Sequence, residues 1–213
     1  MWQVTHRQPW LVVEFEQSMS CLGWTPRLGG EQMASSVLWR EVRNEDLYLG
    51  FEVDPWLEAQ TRALGHPASP CFLISRHIKT FRSAMVEVEG ICAHAVATAG
   101  LGNAERVGQR RAPEEMFGTI NLLIGVNRAM TTPAQLEALS LMAEARTLAM
   151  LDHAPPIWEA RPTGTGTDCL CLASPPSGTP ESYAGKHTAL GEAIGAAALQ
   201  AISAAILDWK PPS

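Results

Sequence analysis

Apolar residues along this chain fall into short runs more often than into helical stripes. Leu11 to Phe15 (Leu-Val-Val-Glu-Phe) predicts a strand, and Ser35 to Val42 predicts another after the Gly29-Gly30 turn. Cys71 to Ser75 reads as a short apolar strand and Thr119 to Val126 as a longer one. Ala84 to Thr98 is rich in Val, Ile, Ala and Cys and is broken at Gly90, which predicts a hairpin or one long bent strand. Asp168 to Ala173 is the last strand, before the Pro/Gly/Ser loop of Ser174 to Pro180.

Three segments carry helix signals. Asp54-Pro55 combines an N-cap with a first-turn proline, and that helix should stop by Gly65. Thr132-Pro133-Ala134-Gln135 places a Thr cap, a proline and an N3 glutamine in capping-box register. In the helix that follows, Leu136, Leu139, Ala143, Thr147 and Met150 are expected on one face, with the end near Asp152 before Pro155-Pro156. The final helix runs from about Thr188 to Asp208, with Leu190, Ile194, Ala197, Ala201 and Ala204 aligned. It is apolar almost all round, so it should be buried. Strands and helices do not alternate cleanly. The expectation is one α+β domain over residues 1–213, a mixed, largely antiparallel sheet packed with two or three long helices.

Composition narrows the partners. The chain has 213 residues, 46% hydrophobic and 18% charged, enough to bury a core. Its net charge of -6 disfavours nucleic acid and anionic membranes. The start lacks an apolar leader-like core, and Ala193 to Leu207 is Ala-rich and short for a bilayer span. The five cysteines (Cys21, Cys71, Cys92, Cys169, Cys171) have no zinc-knuckle spacing and read as reduced thiols of a cytoplasmic protein. The buried-looking last helix and seven tryptophans are compatible with a homodimer. Trp24, Trp39 and Trp56 could stack on a planar ligand, although core packing is their commoner use.

Chemistry should sit where polar, Gly-rich segments interrupt the apolar runs. Gly100-Leu-Gly102-Asn103 lacks the third glycine of a dinucleotide fingerprint. It is either a binding loop, with Gly102 approaching a ligand and Asn103 bonding it, or a tight turn with Arg106 in a surface ion pair. Thr163-Gly-Thr-Gly-Thr-Asp168 is either a Gly-rich strand start or a site. In the second case Gly164 and Gly166 would offer amides, Thr165 or Thr167 a hydroxyl, and Asp168 a carboxylate. Gly118-Thr-Ile-Asn121 opens a strand with a polar pair. Tyr183-Ala-Gly-Lys186-His187-Thr188 precedes the last helix, where His187 could serve as base or metal ligand and Lys186 as oxyanion partner. The other reading of this segment is a solvated helix start. Glu144 and Arg146 read as a solvated helix face. A zinc site from His94, Asp168 and His187 is conceivable by residue type, but their spacing does not require a metal.

Taken together, these segments make the chain resemble the adenosylcobinamide amidohydrolase family. The resemblance rests on Ala97 to Ala104 with Arg106-Val-Gly108, Gly118 to Asn121, Ala143 to Thr147, Thr163 to Asp168, Tyr183 to Thr188, Gly191 and Gly195. It covers about Ala97 to Leu207. The family pattern carries Lys where this chain has Arg146; Arg keeps the charge but does not exchange its proton near neutrality. The resemblance implies hydrolysis of the amide joining the corrin ring's propionate arm to aminopropanol, releasing adenosylcobyric acid for cobamide salvage. In the expected mechanism Asp168 and His187 activate water or a threonine hydroxyl, water being favoured. Lys186 and the Gly164 and Gly166 amides hold the oxyanion. Asn103, Gly102, Arg106, Asn121, Glu144 and Tyr183 bind substrate. A divalent metal is an open cofactor question. The alternative is a non-catalytic corrinoid-binding module, for which Arg146 is the support.

Overall fold

The computed structural model describes residues 2–43, 46, 50–109, 118–155 and 161–210. Pro156, named above as following the second helix, lies outside them. The described strands are β1 (Trp2–Arg7), β2 (Trp10–Gly23), β3 (Gly30–Glu41), β4 (Cys71–Ile74), β5 (Arg82–Val88), β6 (Ile91–Ala99), β7 (Ala104–Glu105), β8 (Ile120–Val126), β9 (Gly164–Thr165) and β10 (Cys169–Ser174). The helices are α1 (Val53–Leu64), α2 (Thr132–His153) and α3 (Ala189–Leu207).

Eight strands form one sheet in the order β4-β3-β2-β10-β8-β6-β5, with β1 also paired to β2. Only β3–β4 and β8–β10 pair in parallel within it. The α+β expectation, a mixed and largely antiparallel sheet with helices, is therefore met. The register of β2 on β3 shifts between Glu14 and Met19, and at this irregularity the sheet folds back over itself. The cores reveal the resulting layers. Ala93, Ala95 and Ala97 of β6 and Leu122 and Ile124 of β8 face α2 and α3. The alternate residues Val96 and Leu123 join Leu11, Val13, Val37, Trp39, Phe72 and Ile74 of β2, β3 and β4. Val12, Leu38 and Cys71 point the other way, onto Leu57 of α1. The order is thus helices, sheet half, sheet half, helix.

The Gly90 break is a hairpin: Glu89 and Gly90 both take positive φ, 50° and 76°, and β5 pairs antiparallel with β6. Helix ends differ in detail from expectation. Glu52, not Asp54, precedes α1, and Asp54 sits in its first turn bound to Arg27 at 3.0 Å. The cap of α2 is Thr131, whose hydroxyl accepts from the Ala134 amide, and Gln135 turns inward to Ser174. Of the face expected on α2, Leu139 and Met150 are buried, and Ala134, Ala138, Met142, Ala145 and Ala149 widen it, whereas Leu136 is exposed. Thr188 caps α3 as expected, accepting from the Gly191 amide. By length and composition α3 is apolar enough to cross a membrane, but its Leu190, Ile194, Ala197, Ala201 and Ala205 side is buried in the core under α2 and the sheet. The small side chains of Ala197, Ala201 and Ala205 let it lie close to β6.

Candidate active site

Three polar segments far apart in sequence meet at one end of the layered sheets, where β8 and β10 begin. Short strands β7 and β9 pair antiparallel, with Ala104 opposite Thr165. The Gly166 amide donates to the Asn103 carbonyl at 3.2 Å, the Thr163 amide to that of Glu105 at 2.9 Å, and the Val107 amide to the Thr163 hydroxyl at 2.8 Å. Gly118 abuts this loop so closely that a Cβ would strike the Gly100 carbonyl and the Gly102 amide. The Thr167 hydroxyl donates to the Gly118 carbonyl at 3.0 Å, and the Thr119 hydroxyl donates back to the Thr167 carbonyl at 2.8 Å.

Asp168 is the centre of this knot. After β9 the chain turns, and Asp168 folds back onto Thr165. One carboxylate oxygen accepts from the Thr165 hydroxyl at 2.5 Å and the Ile120 amide at 3.1 Å. The other accepts from the Thr165 amide at 3.0 Å and pairs with Arg146 Nη1 at 3.1 Å. Burial raises its pKa above the ordinary carboxylate value, opposed by Arg146 and by the hydrogen bonds from Thr165 and Ile120. Gly164 is needed here, because a Cβ would run into the Asp168 carboxylate. The Trp24 indole supports the turn from outside, donating to the Asp168 carbonyl at 2.8 Å.

Two cavities flank the knot and share Thr167. A largely apolar one of about 420 Å³ opens between the sheet halves, with Asn103, Thr119, Asn121 and Cys169 along one wall and Phe51, Leu73 and Ile74 among the others. Asn121 is fixed by donating to the Leu73 carbonyl at 2.7 Å. The Cys169 thiol is pushed up to about 12 by burial and by Asp168, so at neutral pH it is a thiol and not a thiolate nucleophile. A smaller polar cavity of about 300 Å³ is lined by Glu105, Arg106, Arg146 and the Thr163–Asp168 turn.

The remaining candidates assemble elsewhere. Lys186 pairs with Glu144 at 2.6 Å, and both line a groove of about 490 Å³ between α2 and α3. Tyr183 and His187 are exposed, and the partners of the Asp168 carboxylate are Thr165, Ile120 and Arg146 rather than His187. The Gly166 amide, expected at an oxyanion, is used within the loop. His94 stacks near Trp2, ring centroids 4.4 Å apart, away from Asp168's partners. Among the described residues no group of three or more His, Cys, Asp or Glu side chains could hold a metal ion. Sequence reasoning passed over Thr119, Cys169 and Glu105. The polar positions of Gly118-Thr-Ile-Asn121 pointed toward Thr119, but nothing in the spacing singled out Glu105.

The adenosylcobinamide amidohydrolase model matches residues 2–213, nearly the whole chain. This chain belongs to that family. The adenosylcobinamide amidohydrolase match thus extends the motif resemblance, which began near Ala97, back through β1 to β6. Over 98 residues the chain is 31% identical to an uncharacterised protein of Methanocaldococcus jannaschii, a stretch amounting to 45% of this chain and 38% of that protein. Two solved structures resemble it distantly. A Burkholderia sp. beta-aminopeptidase has a TM-score of 0.47 at 10% identity, covering 94% of this chain and 78% of its own. A Pyrococcus horikoshii protein has a TM-score of 0.42 at 10% identity, covering 93% and 76%. In this adenosylcobinamide amidohydrolase family member Arg146 serves as the ion-pair partner of Asp168. That is a role for which a permanently charged side chain suffices.

Proposed function

We propose that this protein hydrolyses the amide linking aminopropanol to the corrin ring of adenosylcobinamide, releasing adenosylcobyric acid for cobamide salvage. The observation that carries the reading is the Thr165–Asp168–Arg146 array at the meeting point of the family segments: a hydroxyl on a buried carboxylate that a guanidinium orients. Hydrolysis of an unstrained amide needs an activated nucleophile, a stabilised oxyanion and a proton for the departing amine. Asp168 takes the proton from the Thr165 hydroxyl as it attacks the amide carbon, or from a water in its place, and returns it to the nitrogen when the C–N bond breaks. With a base fixed beside Thr165, attack by that hydroxyl becomes the favoured route, in place of water. The resulting ester is then hydrolysed.

Cavities of about 300 and 420 Å³ have room for a substituent arm but not for a corrin macrocycle. The ring therefore lies across the mouth while the aminopropanol arm enters. Five unpaired cysteines fit a reducing, cytoplasmic setting.

The test is incubation of purified protein with adenosylcobinamide, with product read by mass spectrometry, with and without a chelator. Adenosylcobyric acid should form in both cases, and Thr165→Ala should lower turnover by about 100-fold or more. A corrinoid spectral shift without product would favour a non-catalytic corrinoid-binding module. Loss of product with chelator would replace the hydroxyl mechanism by a metal-bound water.

A further inference from the structure

The polar cavity beside Thr165 holds two buried polar atoms that nothing satisfies. Glu105 Oε2 and Arg146 Nε are closed to solvent, and among the described residues neither has a hydrogen-bond partner. Both side chains line the same cavity as Thr165 and Asp168. Arg146 makes its ion pair through Nη1, which leaves the Nε–H with nothing to donate to. One orphan is thus an acceptor and the other a donor, and buried groups of either kind are costly to leave unpaired. A secondary amide matches both on adjacent atoms, since its N–H donates and its carbonyl accepts. An ester satisfies only the arginine. A carboxylate would meet the Glu105 charge, and an ammonium would meet the guanidinium.

We propose that Glu105 and Arg146 clamp the scissile amide against the Thr165–Asp168 pair, Glu105 Oε2 accepting the amide N–H and Arg146 Nε donating to the carbonyl oxygen. The clamp deepens the amidohydrolase reading and rests on it. As the Thr165 oxygen bonds to the carbonyl carbon, negative charge collects on the oxygen facing Arg146, and the hydroxyl proton passes to Asp168. When the C–N bond breaks, that proton moves to the nitrogen, which leaves as a neutral amine beside Glu105. Glu105 thereby holds the nitrogen where Asp168 can reach it, and a water then hydrolyses the Thr165 ester, releasing the acid and restoring the hydroxyl.

Two measurements test the clamp. The first compares turnover of adenosylcobinamide with that of its ester counterpart, in which oxygen replaces the scissile N–H. Glu105→Ala should lower kcat/KM for the amide by about 10-fold or more, while leaving the ester unaffected. Arg146→Met, which removes the donor to the carbonyl oxygen, should slow both substrates. The second measurement needs no turnover: NMR titration with N-(2-hydroxypropyl)propanamide, a stand-in for the substrate arm, and with the matching ester. The wild type should bind the amide more tightly, and Glu105→Ala should erase that preference without lowering Tm. Equal slowing of amide and ester, a lowered Tm, or unchanged amide turnover in Glu105→Ala would overturn the clamp, the last pointing to a bridging water. Absence of turnover by the wild type overturns the reaction instead, and the titration still decides whether the cavity selects amides.

Discussion

Asp168 combines two demands that usually conflict. It is buried, which raises its pKa, yet it must be ionised to accept a proton. Arg146, the Thr165 hydroxyl and two backbone amides support the charged form without fully offsetting the desolvation. If it is the base, activity should fall with decreasing pH along a limb centred above the ordinary carboxylate value of about 3.9. Unfolding does not account for that limb. Between the ordinary and the raised value the native state holds more protons than the unfolded chain, so this group's contribution to stability increases as pH falls. A pH–rate profile of the wild type, taken with thermal melts at each pH, should separate the two. A limb at or below the ordinary value would remove Asp168 from the role. The limb should vanish, together with most of the activity, in Asp168→Asn.

At the scale of elements, legibility followed the range of the forces involved. The Glu89-Gly90 hairpin and the Thr188 cap are local, and their residues announce them. The cap of α2 is local too, but two consecutive threonines compete for it. Thr131 wins because its backbone is held against the 181–182 segment: its amide donates to the Glu181 carbonyl at 3.0 Å and its hydroxyl to that of Ser182 at 3.3 Å. Those are tertiary contacts that no local pattern contains. Thr131→Ala should therefore cost about 1 kcal/mol in a urea melt, and Thr132→Ala a few tenths at most. The reverse ranking would restore the capping-box register. The site was legible in part for the same reason. Asp168, Thr165 and Asn103 stand out as polar residues in Gly-rich turns. The pairing of Asp168 with Arg146, and the separation of Lys186 from both, depend on which face of α2 meets the sheet.

Across the whole molecule, the two sheet halves meet in a shared core in which Phe15, Trp39 and Phe72 are the largest buried side chains, with Trp2 packed against them. Trp2 of β1 lies over Gly125 of β8 so closely that a Cβ there would enter the indole, and it packs with Phe15 and His94. Gly125→Ala should destabilise the fold by about 1–3 kcal/mol through overpacking, read as a lower urea midpoint with the slope unchanged. A midpoint equal to the wild type would mean that Trp2 is free to move aside. The layered order was not readable in advance. β1 went unrecognised, and the irregularity between Glu14 and Met19 that folds the sheet carries no glycine or proline to mark it.

The position of β10 has a consequence for how the chain matures. It is the last strand in sequence, yet it lies in the middle of the sheet, between β2 and β8. A ribosome delivers the residues of β1 through β8 first, and until Cys169–Ser174 follow, residues 20–23 of β2 and 121–125 of β8 have no partner on their facing edges. Those edges are apolar, so the nascent chain passes through a stage at which it can pair with other chains. Asp168 immediately precedes this strand, so completing the sheet and delivering the carboxylate are a single event.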